Sequence, residues 1–219
     1  MQPGVLLRRV AAILIVTGAA AALPASASVI YSNFGTGGAF DGGNGWITST
    51  SHAIAAPFQV QAGDDVQFTS ALLAQTSAGG DSSNVFLMAD SAGQPGTVLD
   101  TLVGQSPITG TPSIITYNCT LCPTLTAGST YWLISTYANG QTIWNFNNTG
   151  STGGWVNMNG LSNSGPWNSF ASVPRPAFQV EGSALPSAAV PEPASIQLLG
   201  LAIVSLAIAS RRKHTRHNP

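Results

Sequence analysis

Few residues of this chain could carry out bond-making chemistry. Hydrolysis by an activated hydroxyl or thiol needs a base held beside the nucleophile. Between residues 28 and 184 the one histidine is His52, in the polar context Ser51-His52-Ala53, and no nucleophile elbow accompanies it. Glycoside hydrolysis needs two carboxyls facing each other across a cleft. Asp41, Asp64, Asp65, Asp81, Asp90 and Asp100 all fall in or beside turn-forming stretches, where an aspartate side chain serves its own backbone. No catalytic residue is assigned, and the chain is expected not to be an enzyme.

Binding chemistry offers more. Asp64-Asp65, Asp81-Ser82-Ser83-Asn84 and Asp90 place hard oxygen ligands on loops, which makes them weak candidates for a structural calcium ion, although none has the spacing of an EF-hand loop. Zinc would need four ligands, and Cys119, Cys122 and His52 are too few. The run Cys119-Thr120-Leu121-Cys122-Pro123 lies between β-rich segments and not at the strand-to-helix junction of a thioredoxin-like redox pair. In an exported chain it is expected to form a local disulfide that staples a turn. Trp144, Trp155 and Trp167, like Trp46, stand among Asn and Gly, the combination of aromatic face and amide donors that a pyranose ring contacts. Tryptophan is also the largest core filler, so a carbohydrate platform and a packed interior both remain open, and burial of the rings decides between them.

The elements that would position these residues read as strands throughout. Residues 29–32, 46–47, 56–60, 66–73, 85–89 and 98–103 alternate or form short apolar runs between Gly, Asp and Pro clusters. Residues 130–137 and 142–146 flank Asn139-Gly140, a dipeptide favoured in tight hairpins, and with 114–118 they predict a three-strand meander. Residues 155–158 and 177–181 supply the last strands. Short strands at this spacing predict an all-β fold, an antiparallel sandwich of jelly-roll type with a barrel as the variant.

Both ends of the chain differ from this middle. Residues 1–27 carry Arg8-Arg9, an apolar stretch and Ala25-Ser26-Ala27, the pattern of a signal peptide cleaved after Ala27. Residues 185–190 read as a linker to Pro191-Glu192-Pro193. Residues 194–210 contain no charge and, at about 1.5 Å per residue, nearly span a bilayer's hydrocarbon core as a helix. Arg211, Arg212 and Lys213 open a basic tail, 211–219, that stops transfer and stays in the cytoplasm. Setting both ends aside leaves 28–184 with Arg175 as its one Lys or Arg against seven acids, a net charge of −6. A phosphate backbone needs cationic contacts, so nucleic acid is excluded as a partner. Asn118-Cys119-Thr120 and Asn147-Asn148-Thr149 fit the N-glycosylation pattern and are read as chance matches.

Pro191-Glu192-Pro193, a short apolar helix and Arg211-Arg212, in that order, resemble the PEP-CTERM sorting signal of Gram-negative bacteria that make extracellular polysaccharide. That resemblance implies that an exosortase, a membrane-embedded cysteine protease-transpeptidase, cuts near the motif and removes the helix. The chain would be its substrate, a single-pass inner-membrane precursor later delivered to the cell surface or matrix, with signal peptidase acting at the other end. The middle resembles choice-of-anchor domains, most closely the R type, through Tyr31-Ser32-Asn33-Phe34-Gly35, Gly45-Trp46, Ala56-Pro57-Phe58, Gly93-Gln94-Pro95-Gly96 with Asp90, and the run from Leu125 to Trp132. It implies an exported β-sandwich with no catalytic residues, and a matrix or biofilm component. The rival expectations are a lectin-like module or carbohydrate-active enzyme of the polysaccharide, and an anchored protein that is never processed.

Overall fold

The longest ladders bury one face in the interior. In Val66–Ser77 the side chains of Ala71, Leu73 and Gln75 are buried on one face, and in Ser82–Ser91 those of Val85 and Leu87 are. The computed structural model describes residues 27–157 and 163–185. The leader before Ala27, the sorting motif, the expected membrane helix and the basic tail lie outside the described residues. Among those described, no helix is long and apolar enough to cross a membrane.

The described residues form thirteen strands, in chain order: β1 (Ser28–Ser32), β2 (Asp41–Thr48), β3 (Ala53–Gln59), β4 (Val66–Ser77), β5 (Ser82–Ser91), β6 (Gln94–Gly104), β7 (Ser113–Asn118), β8 (Thr124–Leu125), β9 (Thr130–Asn139), β10 (Thr142–Phe146), β11 (Trp155–Asn157), β12 (Trp167–Ser169) and β13 (Phe178–Ala184). Their order in space is β1-β13-β4-β7-β6-β5-β9-β3-β11-β12, with β10 joining β4 to β2 and β8 lying on β4. Every pairing is antiparallel. The expected all-β antiparallel architecture is therefore present. The two expected layers are continuous, because β6 pairs with β5 along most of its length and with β7 through Val103 and Gly104. The result is a nearly closed, barrel-like sheet.

Phe68, Leu73, Leu87, Leu125, Leu133, Trp144 and Phe178 fill its interior. A second apolar cluster sits separately, where Trp167 packs with Ala53, Ala55, Met88, Trp132 and Ile134 of β3, β5 and β9. Burying one such aromatic ring contributes on the order of 2–3 kcal/mol, so both clusters matter to stability.

Three expectations about local structure are corrected. The strand expected at 46–47 already begins at Asp41, and Gly45 is needed there because a Cβ would meet the β10 backbone at Trp144 and Asn145. The hairpin assigned to Asn139-Gly140 does not exist. β9 pairs with β5 and β3, while β10 pairs with β2 and β4, so the chain crosses at this turn from one side of the barrel to the other. Strand 114–118 likewise pairs with β4 and β6, and not with β9, so the meander is absent. The tight hairpin is β5–β6. There Ser91 pairs with Gln94, and Ala92 and Gly93 both take positive φ (54° and 79°), as a type I′ turn requires. The Gly93 N–H donates to Asp90 Oδ2 at 3.0 Å and helps hold that turn.

Candidate functional site

Among the described residues a dense set of hydrogen bonds converges on Asp100, in the apolar run Val98-Leu99-Asp100-Thr101-Leu102 of β6. Its side chain is 1% exposed. A carboxylate so placed needs donors, because burying a charge without partners costs several kcal/mol. They come from the Cys119–Cys122 turn. The backbone N–H groups of Thr120, Leu121 and Cys122 donate to Oδ2 at 3.1, 3.0 and 3.1 Å, and the Thr120 hydroxyl donates to Oδ1. Cys119 and Cys122 are disulfide-bonded, with Cα atoms 5.0 Å apart, and Cys122 holds φ at 49°. Disulfide and carboxylate therefore fix the same turn, one covalently and the other by gathering its N–H groups. Sequence reasoning placed Asp100 beside a turn and missed this role. The signal was a lone acid inside a β-branched, apolar strand.

Four more aspartates, Asp65, Asp90, Asp81 and Asp41, are bonded at separate places in the fold. Asp65 Oδ1 accepts from Ala127 N at 2.9 Å, Asp90 Oδ1 from Trp132 Nε1 at 2.8 Å, and Asp81 Oδ1 from Asn139 Nδ2 and Ser82 Oγ at 3.1 Å each. Half-buried Asp41 accepts from Asn44 Nδ2 and Gly43 N, and these bonds hold its carboxyl below the usual range. The calcium candidates Asp64, Asp65, Asp81 and Asp90 are not brought together, and no group of three or more His, Cys, Asp or Glu that could hold a metal occurs among the described residues. Exchanging calcium for a chelator is accordingly expected to leave the melting temperature unchanged by scanning calorimetry, whereas a calcium-dependent rise would place an ion at one of these turns.

His52 closes the four-residue turn between β2 and β3, where the backbones of Ser49 and His52 exchange hydrogen bonds. Its Nδ1 lies 3.0 Å from Ser51 Oγ and 3.4 Å from Ser49 Oγ. These contacts are between near neighbours within one turn. Arg175, the domain's one cation, donates from Nη1 to Tyr31 Oη and Pro57 O and from Nη2 to Thr152 O, so it ties β1, the end of β3 and the 147–154 loop together. Asn147 organises that loop. Its amide donates to Ser151 O and Arg175 O, and its Oδ1 accepts from Thr149 N and Ser151 N. Buried and fully engaged, Asn147 cannot present its nitrogen to a glycan-transferring enzyme.

The aromatic residues considered as a carbohydrate platform sit elsewhere. Trp144 is fully buried and donates from Nε1 to Ala177 O at 2.9 Å, while Trp167 is 8% exposed inside the second apolar cluster. Neither offers a ring face to a sugar. The side chain of Trp155, on β11, lies outside the described residues. Trp46 stacks edge-on against Phe146 and Phe170.

What the described residues define is an antiparallel, barrel-like β domain in which the candidate site residues hold the domain's own turns and core. Residues 189–213 match the model of the PEP-CTERM protein-sorting motif. The match contains Pro191-Glu192-Pro193 and Arg211 to Lys213, so the chain carries, at its C-terminal end, the signal of exported proteins processed by an exosortase. No curated protein matches the chain.

Proposed function

We propose that this chain is exported cargo without catalytic activity, held in the inner membrane by its C-terminal helix until an exosortase cuts near Pro191-Glu192-Pro193. The β domain is then delivered to the cell surface or the extracellular polysaccharide matrix as a structural or adhesive component. The observation that carries this reading is the sorting-motif match at 189–213. Physical chemistry supports it. Pro191 and Pro193 each fix φ and remove a backbone donor, which keeps the acid between them extended and accessible to a protease. The segment 194–210 would hold that acid near the bilayer face, and the basic residues after it would fix the orientation. An absence of catalysis agrees with acids engaged at separate turns and a histidine confined to one. The β domain's likeness to choice-of-anchor domains agrees with a role in attachment.

Glu192→Ala is expected to abolish release. In a host that processes the wild-type chain, the variant should stay in the membrane fraction with a mass that still includes Arg211. The released wild-type chain should begin at Ser28 and lack the basic tail. Unchanged release of the variant removes the motif from the account, and a mature wild-type protein retaining Arg211 would mean an anchored protein that is never processed.

A further inference from the structure

A cavity of about 450 Å³ opens where the loop after β6 straps across the β4–β5 connection. The strap is fixed by backbone bonds from Ile108 N to Asp81 O at 2.8 Å and from Ser77 N to Thr109 O at 2.7 Å. The polar lining comprises Asp81, Ser82, Ser83, Gln105, Ser106 and Tyr117. No Lys, Arg or His lines it, and the domain around it is strongly acidic.

The back wall of this cavity is the end of a polar chain running through the barrel interior. Tyr117 Oη donates to Gln75 Oε1 at 2.6 Å, Gln75 Nε2 donates to Ser83 Oγ at 3.4 Å, and Ser83 Oγ lies 2.7 Å from Thr142 Oγ1, which meets the Thr48 hydroxyl. Gln75 is completely buried. A core gains nothing in stability from a glutamine and a phenol that an apolar pair would not supply as well. What the chain does supply is a polar wall whose hydroxyls are paired with one another. Burial pushes the Tyr117 phenol well above its usual range, so it remains a neutral donor throughout the physiological range.

The front of the cavity has spare capacity. Asp81 uses Oδ1 for Ser82 and Asn139, which leaves Oδ2 without a partner among the described residues. Gln105 donates to Val103 O through Nε2, leaving its Oε1 open, and the Ser106 hydroxyl has no hydrogen bond to a described residue. The unused groups are chiefly acceptors on exposed side chains facing a preorganised hydroxyl wall. Such a set binds a ligand that donates several hydrogen bonds and carries no negative charge, and the volume falls in the range of small-molecule sites.

We propose that this cavity is a binding site for an uncharged or amino sugar, one or two rings in size, with Asp81 Oδ2, Gln105 Oε1 and the Ser106 hydroxyl contacting the sugar hydroxyls and Ser83 and Tyr117 forming the floor. This site is independent of the sorting signal, so its failure leaves export and processing untouched. It also differs from the tryptophan platform, since no tryptophan lines it.

The test uses the purified full chain in a detergent without a sugar headgroup, titrated by calorimetry with glucose, N-acetylglucosamine, glucosamine, cellobiose and glucuronate. Saturable binding of at least one uncharged or amino sugar is expected, with glucuronate about tenfold weaker or worse. Ser106→Trp, which fills the mouth from an exposed loop, should weaken that binding at least tenfold at an unchanged melting temperature. Gln105→Ala, which adds no bulk, should weaken it about threefold and serves as the reading if the tryptophan variant misfolds. The proposal is overturned if none of the sugars binds at millimolar concentration, if glucuronate binds as well as the neutral sugars, or if Gln105→Ala and a folded Ser106→Trp leave the affinity unchanged.

Discussion

Asp100→Ala is expected to destabilise the domain by about 3–5 kcal/mol, more than removal of the disulfide it accompanies. The substitution leaves the N–H groups of Thr120, Leu121 and Cys122 and the Thr120 hydroxyl without their common acceptor. A buried donor that loses its partner costs about 1–3 kcal/mol, and the exposure of Thr120 and Leu121 lets water recover part of this. The disulfide closes a loop only three residues in sequence separation, for which chain entropy predicts about 2 kcal/mol. Asp100→Asn should fall between the two, since an amide oxygen can still accept from the three N–H groups while its nitrogen faces the Thr120 hydroxyl. Urea unfolding of the wild type, Asp100→Ala, Asp100→Asn and the Cys119→Ala/Cys122→Ala double variant checks this order. If Asp100→Ala cost no more than the double variant, the carboxylate would be a passenger on a turn that the disulfide alone holds.

Asp100 also shows what a sequence can and cannot convey about this protein. The strands 66–73, 85–89 and 130–137 were legible from partial alternation, from a short apolar run and from β-branched and aromatic residues respectively, and each lies within an observed strand. The sorting signal was legible because its chemistry is local and contiguous. Pairings were not, because a strand's partner depends on residues far away in the chain. Nothing near Asp100 indicates that its donors stand at 120–122, and nothing near Trp144 indicates that β10 would be roofed by Phe178 and lie between β2 and β4. Glycine misled at Gly140, read as a hairpin mark, where it permits two connections to cross.

That crossing carries the other large effect. The β4–β5 connection passes through Gly79-Gly80 and the β9–β10 connection through Gly140, each taking the chain between the two sides of the barrel. They touch backbone to backbone: a Cβ on Gly80 would stand 2.5 Å from the Gly140 carbonyl carbon, and one on Gly140 would stand 2.5 Å from Gly80 Cα. No side chain can rotate aside to relieve either clash, and Gly140 also has φ at +71°, where a Cβ is strained. Gly80→Ala and Gly140→Ala are each expected to cost about 3 kcal/mol or more, lowering the melting temperature by roughly 6–12 °C. Gly110→Ala is the control, with an ordinary φ and nothing within 4 Å of the added carbon, and should stay within about 0.5 kcal/mol of wild type. A hairpin at Asn139-Gly140 would make the opposite forecast for Gly80, because that residue would then lie far from the turn and tolerate a methyl group. Scanning calorimetry showing Gly80→Ala as harmless as Gly110→Ala would therefore return β9 and β10 to a directly paired hairpin and undo the wrapped topology that builds the interior.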